Sequence, residues 1–399
     1  MKHRIIFSIL AGLALCTSVL AGPPVNREDN EQLYKDMLTH VRSLQNSFVG
    51  DPIWAMLQNF TVEVQAAHLG DPYVWMQQTH LLVNRLEKMY PPALEHSLTQ
   101  SSDRYARLRK GMLLIRDYPD HEQSLTEDGI AAPKEQAARF HAYNRQFVEI
   151  KRDDFFRFLS SPRPADGSIQ IAKLYSSGFI FRTKNTCIAL DISYDECLYS
   201  SARKDELQGM IDAFFLTHGH GDHYDLPLLR NLTNSGVPYV APKDVIPETA
   251  GSSKVIWPDG HEGMMEIRPG VKAQAAISAQ GGEPCLLYII QIDDWRIAAV
   301  GDNSNVSKEV FYEDKEMVDI ICSPIFQGVE YMFQYCNKMP NPGGVAPVYI
   351  SAHENESHHT SEGRITWWSL YNNPLPQMTG SRAGHIVAMD EGESLTMSK

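Results

Sequence analysis

Thr217-His218-Gly219-His220-Gly221-Asp222-His223-Tyr224-Asp225 places three imidazoles and a carboxylate within six positions, directly after the apolar run Ala213-Phe214-Phe215-Leu216. Such a run reads as a buried strand, so the polar residues begin where the strand ends. Histidines at i and i+2 face the same way while strand geometry persists, and Gly219 and Gly221 allow the backbone a sharp turn. An array of this composition suits borderline divalent metals, zinc foremost, with Mn2+ or Fe2+ as alternatives.

Around this stretch the texture is that of a layered α/β protein. Ile169 to Leu174, Gly178 to Arg182 and Cys187 to Leu190 read as short strands, the last ending at Asp191. Later strands are expected at Val237 to Val240, Leu286 to Ile292, Arg296 to Val300, Asp319 to Cys322 and Val348 to Ser351, with a short helix near Pro227-Leu228-Leu229. Asp225 fits a helix start better than a metal ligand.

From about residue 28 to 160 the period changes. Leu33, Met37, Val41, Leu44 and Phe48 recur at steps of three and four, as do Phe140, Tyr143, Phe147 and Ile150. Gly50-Asp51-Pro52, Gly70-Asp71-Pro72 and Pro91-Pro92 punctuate these helices. No metal-ligand spacing or nucleophile motif stands out there, and Trp54, Trp75 and Tyr90 could line a binding face but read more readily as core aromatics. Residues 22–160 are therefore expected to form a helical domain, 161–167 a linker, and 168–399 the domain that carries the histidines.

Lys2, His3 and Arg4 precede an apolar run from Ile5 to Leu15, and Val19-Leu20-Ala21 ends in small residues. Residues 1–21 read as a cleaved signal peptide, too short to span a bilayer, which implies a periplasmic or secreted protein with no membrane span in the mature chain. Leu13-Ala14-Leu15 puts a bulky leucine where lipid attachment at Cys16 wants a small residue, which weighs against a lipoprotein. The formal charge of −13 falls further once Lys2 and Arg4 leave, which argues against nucleic acid as a partner. Hydrophobic residues at 43% with aromatics at 10% mark a globular chain. Of the cysteines beyond the leader, Cys187 and Cys197 could bridge, whereas Cys285 and Cys322 sit in apolar runs as buried thiols.

The spacing His218-x-His220-x-Asp222-His223, with Asp225 trailing, resembles the signature of the metallo-β-lactamase superfamily, and the trailing aspartate resembles the branch of the ascorbate-phosphate lactonases and N-acyl-phosphatidylethanolamine phospholipases. Ile188-Ala189-Leu190-Asp191, Val300-Gly301-Asp302 and Tyr349-Ile350-Ser351-Ala352-His353 fall in the order in which that family sets its early aspartate, its glycine-aspartate turn and its last histidine. The resemblance spans about residues 168 to 360. It implies an αββα sandwich and one metal at His218, His220 and a third histidine. A second metal would lie at Asp222, His223 and His353, with Asp302 between them. Asp222 and Asp302 then carry the catalytic role, a metal-activated hydroxide being the nucleophile, and Asp191 would orient an imidazole or else cap the turn at the end of its strand.

The chain departs from this pattern at Ala276-Ile277-Ser278-Ala279-Gln280, where the resemblance implies a third histidine and Gln280 stands instead. A neutral amide is a poor zinc ligand beside imidazole. Three readings are open: Gln280 or Glu283 ligates unusually, one metal sits at Asp222, His223, Asp302 and His353, or the fold persists without catalysis. His358 and His359 follow His353 closely and could substitute for the missing ligand or act as an acid, or simply begin a helix capped by Ser357. His261 reads as a surface turn residue, and Tyr331, Phe333 and Tyr335 as core. The implied activity is hydrolysis of an ester-like bond, phosphodiester or lactone, in a small-molecule or lipid-like substrate; the alternative is a sandwich that only binds.

Overall fold

The computed structural model describes residues 27–67, 72–97, 103–123, 151–193, 206–207, 209–243, 245, 255–256, 263–280, 283–302, 318–324, 348–352 and 385–399. The N-terminal part comprises α1 (Arg27–Asn46), α2 (Pro52–Ala67), α3 (Pro72–Met89) and α4 (Arg104–Gln123), with a 3-10 turn at Leu94–His96. Val41, Leu44 and Phe48 bury one stripe of α1 and its exit against Leu57, Phe60 and Val64 of α2 and Leu108 and Met112 of α4. Asp51 starts α2: its Oδ1 accepts the Ile53 N–H at 3.0 Å, and Pro52 follows, where a missing amide hydrogen costs nothing. Tyr90 stacks on Tyr105 at the edge of this core, with ring centroids 4.9 Å apart. Trp54, expected inside, is exposed; the Trp75 side chain lies outside the described residues, as do Phe140 to Ile150.

Two seven-stranded sheets follow. The first contains β1 (Ser168–Lys173), β2 (Phe179–Arg182), β3 (Cys187–Leu190), β4 (Ala213–Phe215), β5 (Tyr239–Val240) and β6 (Val255–Ile256) in spatial order, with the last strand, β14 (Ser394–Ser398), added beside β1. The second runs β7 (Met265–Arg268), β8 (Val271–Gln280), β9 (Glu283–Ile292), β10 (Trp295–Ala299), β11 (Ile320–Pro324), β12 (Val348–Ala352) and β13 (Ile386–Val387). The short β6, β7, β13 and β14 were not expected from the sequence. Ile171, Phe181, Ile188 and Phe215 point inward from the first sheet onto Ala273, Tyr288, Ile297 and Ile350 of the second, one residue in two, as the pleat requires. The intervening Ile180, Ala189 and Phe214 face outward and are covered by Phe155, Phe156 and Leu159 of helix α5, residues 151–160, and by Leu228, Leu229 and Leu232 of α6 (Leu226–Asn234). The result is helix on sheet on sheet; among the described residues no helix covers the outer face of the second sheet.

The edge strands β13 and β14 end the two sheets on one side, and the helices lie against that side. Leu94 packs on the inter-sheet core. Ser97 Oγ lies 3.2 Å from His385 Nδ1, and Arg109 donates to the Ala388 carbonyl at 2.9 Å. Arg109 also forks onto Glu393, at 2.5 Å and 3.1 Å, while Lys151 pairs with Glu87 and lies 3.5 Å from Asp390. Covering edge strands in this way removes a template for intermolecular pairing. No helix among the described residues is long and apolar enough to cross a membrane.

β3 to β6 are mutually parallel, as are β10 to β13. The two parallel sets are joined at one end: Leu286 N–H, near the start of β9, donates to Thr217 O at 2.7 Å, and the Tyr288 hydroxyl donates to Leu216 O at 2.6 Å. Since β9 is antiparallel to β10, its start lies beside the end of β10. The carboxyl ends of β3, β4 and β10 therefore meet along one rim, the position where α/β sheets habitually place ligands.

Candidate metal centre

Each of these three strands delivers one part of the site. The end of β3 supplies Asp191, fully buried with φ of 46°, a conformation costly for a non-glycine residue. Asp191 Oδ1 accepts the Thr217 N–H at 2.7 Å, and Oδ2 accepts the Thr217 hydroxyl at 2.6 Å and stands 2.9 Å from His223 Nδ1. Burial raises the pKa of Asp191, and the His223 and Thr217 bonds oppose that rise.

Beyond β4, His218 and His223 are buried to zero exposure while His220 is exposed and Asp222 half-buried. The His218 ring centroid lies 4.0 Å from that of His223 and 4.5 Å from that of His220. Neither Gly219 nor Gly221 has a positive φ. Gly219 fits closely against Val245, where an added Cβ would stand 3.2 Å from Cγ1, and Gly221 borders open space. The glycine that matters conformationally is Gly301, at φ of 58°, whose Cβ would lie 2.7 Å from that of Thr217. It brings Asp302, at the end of β10, against the histidine segment. Asp225 is the N-cap of α6, its side chain accepting the Leu228 N–H at 3.4 Å.

Asp302 is common to two groups of facing ligand atoms. One is His218, His220 and Asp302 and the other Asp222, His223 and Asp302, each with its atoms within 4.8 Å of one another. His223 Nε2 is 3.4 Å from Asp302 Oδ1 and 3.5 Å from Asp222 Oδ2, and His218 Nε2 is 3.7 Å from Asp302 Oδ2. These spacings are long for charged hydrogen bonds, which run at about 2.7–2.9 Å. They are close to the edge of a tetrahedron around zinc, about 3.4 Å for ligands about 2.1 Å from the ion.

The electrostatics agree with a cation here. Among the described residues His218 Nε2 is buried with no hydrogen-bond partner, and burial with the neighbouring His223 lowers the pKa of His218 to about 2, so the ring is neutral and able to ligate. Burial also disfavours charge on His223, yet Asp302, Asp222 and Asp191 together outweigh it and raise its pKa well above the ordinary value. Three carboxylates around one buried imidazole call for positive charge, from a proton or from a metal. The donor set of imidazoles and carboxylates fits a zinc-like divalent ion.

Two positioning residues were not foreseen from sequence. Thr217 stands between Asp191 and His218, and Ser176, at φ of 56°, donates to Asp222 Oδ2 at 3.3 Å. Among the other sequence candidates, Gln280 ends β8 in register with Glu283, which is exposed; the Gln280 side chain is outside the described residues. His353, His358, His359, His261, Tyr331, Phe333 and Tyr335 also lie outside them. β12, which leads to His353, ends at Ala352 with Ile350 beside Cys322, and Cys322 beside Ala299 of β10. Cys187 is a free buried thiol, so the alternative of a Cys187–Cys197 bridge is corrected; burial first of all pushes its pKa up to about 12. Cys285 and Cys322 are likewise free and buried, with thiol pKa values raised by burial, and are poor nucleophiles.

No protein-family model matches the chain, and no curated relative matches it. Solved structures similar to it include a metallo hydrolase from the hyperthermophilic archaeon Ignicoccus hospitalis. That pair shares 16% identity at a TM-score of 0.44, covering 58% of this chain and 99% of the other. The metallo-beta-lactamase fold protein YhfI from Bacillus subtilis shares 12% identity over 58% of this chain and 100% of its own, at a TM-score of 0.39. An isothiocyanate hydrolase from Delia radicum gut bacteria shares 13% over 58% and 100%, at 0.42. Likeness at this level leaves reaction and substrate to the chemistry of the site.

Proposed function

We propose that this chain is an exported metal-dependent hydrolase of the metallo-β-lactamase type. It would cleave an ester-like bond, phosphodiester or lactone, in a small-molecule or lipid-like substrate. The single observation that carries the reading is Asp302, whose two oxygens lie 3.4 Å from His223 Nε2 and 3.7 Å from His218 Nε2, so that one carboxylate serves both half-sites. His218 and His220 would hold one ion with Asp302, and Asp222 and His223 a second, with His353 added at the end of β12. A bound divalent ion supplies Lewis acidity and lowers the pKa of water to near neutrality. The chain's own part is to keep His218 neutral, to hold His223 by Asp191, and to bury His218, His223 and Asp302 while His220 stays exposed. Zinc is favoured by the imidazole-carboxylate donor set over Mn2+ or Fe2+. The lactonase and phospholipase branch is favoured by Asp225, which opens α6 immediately after the ligand segment.

The test is metal content of the purified protein together with turnover of phosphodiester, lactone and acyl-ester probes, before and after Asp302→Ala. Metal that co-purifies and is lost in the variant together with turnover is the expected result. Protein that neither carries nor accepts a divalent ion and turns over no probe overturns the reading. A second reading, a single-metal or purely binding sandwich, is favoured by Gln280 at the end of β8, where the resemblance calls for histidine. About one ion per chain at Asp222, His223 and Asp302 would support it.

A further inference from the structure

We infer that Thr217 is a positioning residue through which one carboxylate, Asp191, orients a histidine in each half of the centre. This rests on the metal reading above and adds to it the means by which the two halves are linked. The hydroxyl of Thr217 has a single hydrogen, and that hydrogen goes to Asp191 Oδ2 at 2.6 Å. Toward His218 Nδ1, 3.1 Å away, the same oxygen can therefore only accept, so His218 carries its proton on Nδ1. His223 Nδ1 lies 2.9 Å from Asp191 Oδ2, which as a carboxylate oxygen also accepts, so His223 carries its proton on Nδ1 too. His218 then presents an unprotonated Nε2, and His223 an Nε2 whose proton a metal would displace; both Nε2 atoms face Asp302.

The two histidines depend on Asp191 unequally. His223 is bound to it directly; its own distance to the Thr217 hydroxyl is 3.5 Å, too long to compete. His218 reaches Asp191 only through that hydroxyl. Thr217 is itself fixed by its N–H to Asp191 Oδ1 at 2.7 Å, by its carbonyl to Leu286 N–H at 2.7 Å, and by the close approach of Gly301 to its Cβ and methyl. Losing the hydroxyl should thus free the His218 ring to flip or change tautomer while leaving His223 in place.

The experiment compares wild type with Thr217→Val, which keeps shape and removes the hydroxyl, and Thr217→Ser, which keeps the hydroxyl. Long-range proton–nitrogen NMR of histidine-labelled, metal-free protein reads the tautomers, and Zn2+ titration against a competing chelator reads the affinity of each half. In wild type and Thr217→Ser, His218 is expected as the neutral Nδ1–H tautomer and His223 with a proton on Nδ1, doubly protonated while no metal is bound. In Thr217→Val, His218 alone should lose that signature and the half-site containing it should weaken roughly tenfold to a hundredfold. Unchanged His218 tautomer in Thr217→Val, or a Thr217→Ser variant as impaired as Thr217→Val, overturns the inference. If Thr217→Val does not fold, Thr217→Ala against Thr217→Ser gives the same comparison. Should wild type bind no divalent ion, the metal reading fails, while the tautomers in the metal-free protein still decide the role of Thr217.

Discussion

Arg109 Nη2 and Glu393 Oε2 pair at 2.5 Å with both side chains about 5% exposed, joining α4 to the turn before β14. The Asp390 N–H donates to the same Glu393 oxygen at 2.7 Å. Burial raises the pKa of Glu393, and Arg109 opposes that rise. Removing one member of such a pair leaves a buried charge uncompensated, so Arg109→Met should cost about 3–5 kcal/mol. Chemical denaturation checks this, and adding Glu393→Met should recover part of the loss. A neutral single substitution would mean that the pair contributes nothing to holding helices and sandwich together.

Gly301→Ala should be damaging twice over. The left-handed backbone at φ of 58° disfavours any Cβ by about 1–2 kcal/mol, and that Cβ would stand 2.7 Å from the Thr217 Cβ. Asp302 would be displaced with it, so bound metal should fall along with melting temperature. Gly263→Ala, with open space around it and no positive φ, is the control and should change stability little.

Metal removal should lower the melting temperature in wild type. An ion present at about a hundred times its dissociation constant stabilises the folded state by about 2.7 kcal/mol. Thermal melts with and without chelator measure the difference, which should vanish in Asp302→Ala because that carboxylate belongs to both ligand groups.

Acid should weaken the helical part through His40. Its pKa is lowered to about 4 from 6.5, by burial first and by the charge of Lys110 second. Below pH 6.5 the unfolded chain takes up a proton that the folded chain refuses. Stability therefore falls as pH drops from 6.5 to about 4, and no further below that, for a total of at most about 3 kcal/mol. His40→Gln should flatten this slope in denaturation curves taken across that range.

The main strands were legible because they are apolar and bounded by turns: Cys187–Leu190, Ala213–Phe215 and Val348–Ala352 stand where the sequence puts them. β13 and β14 were not, since a two-residue strand has no period and Ser394–Ser398 is half polar; each owes its existence to a neighbour distant in the chain. At the site, His218, His220, Asp222 and His223 were visible from residue type and spacing, and Asp302 only from the resemblance of Val300-Gly301-Asp302 to a family turn. Thr217 and Ser176 were not, nor was the contact of Gly301 with Thr217, because a hydroxyl or a missing Cβ acquires meaning only from what lies opposite it.

Asp191 follows β3 and the candidate ligands follow β4 and β10, and among the described residues seven strands, β4 through β10, lie between Asp191 and Asp302. During synthesis, then, the histidine segment leaves the ribosome long before its acidic partner does, and closing so long a loop is the slow, entropy-limited part of folding. A chain arrested before Asp302 has neither ligand group. Metal capture would come late, as a seal on a finished sandwich, and the time at which a nascent or refolding chain first retains zinc would report when its two sheets close.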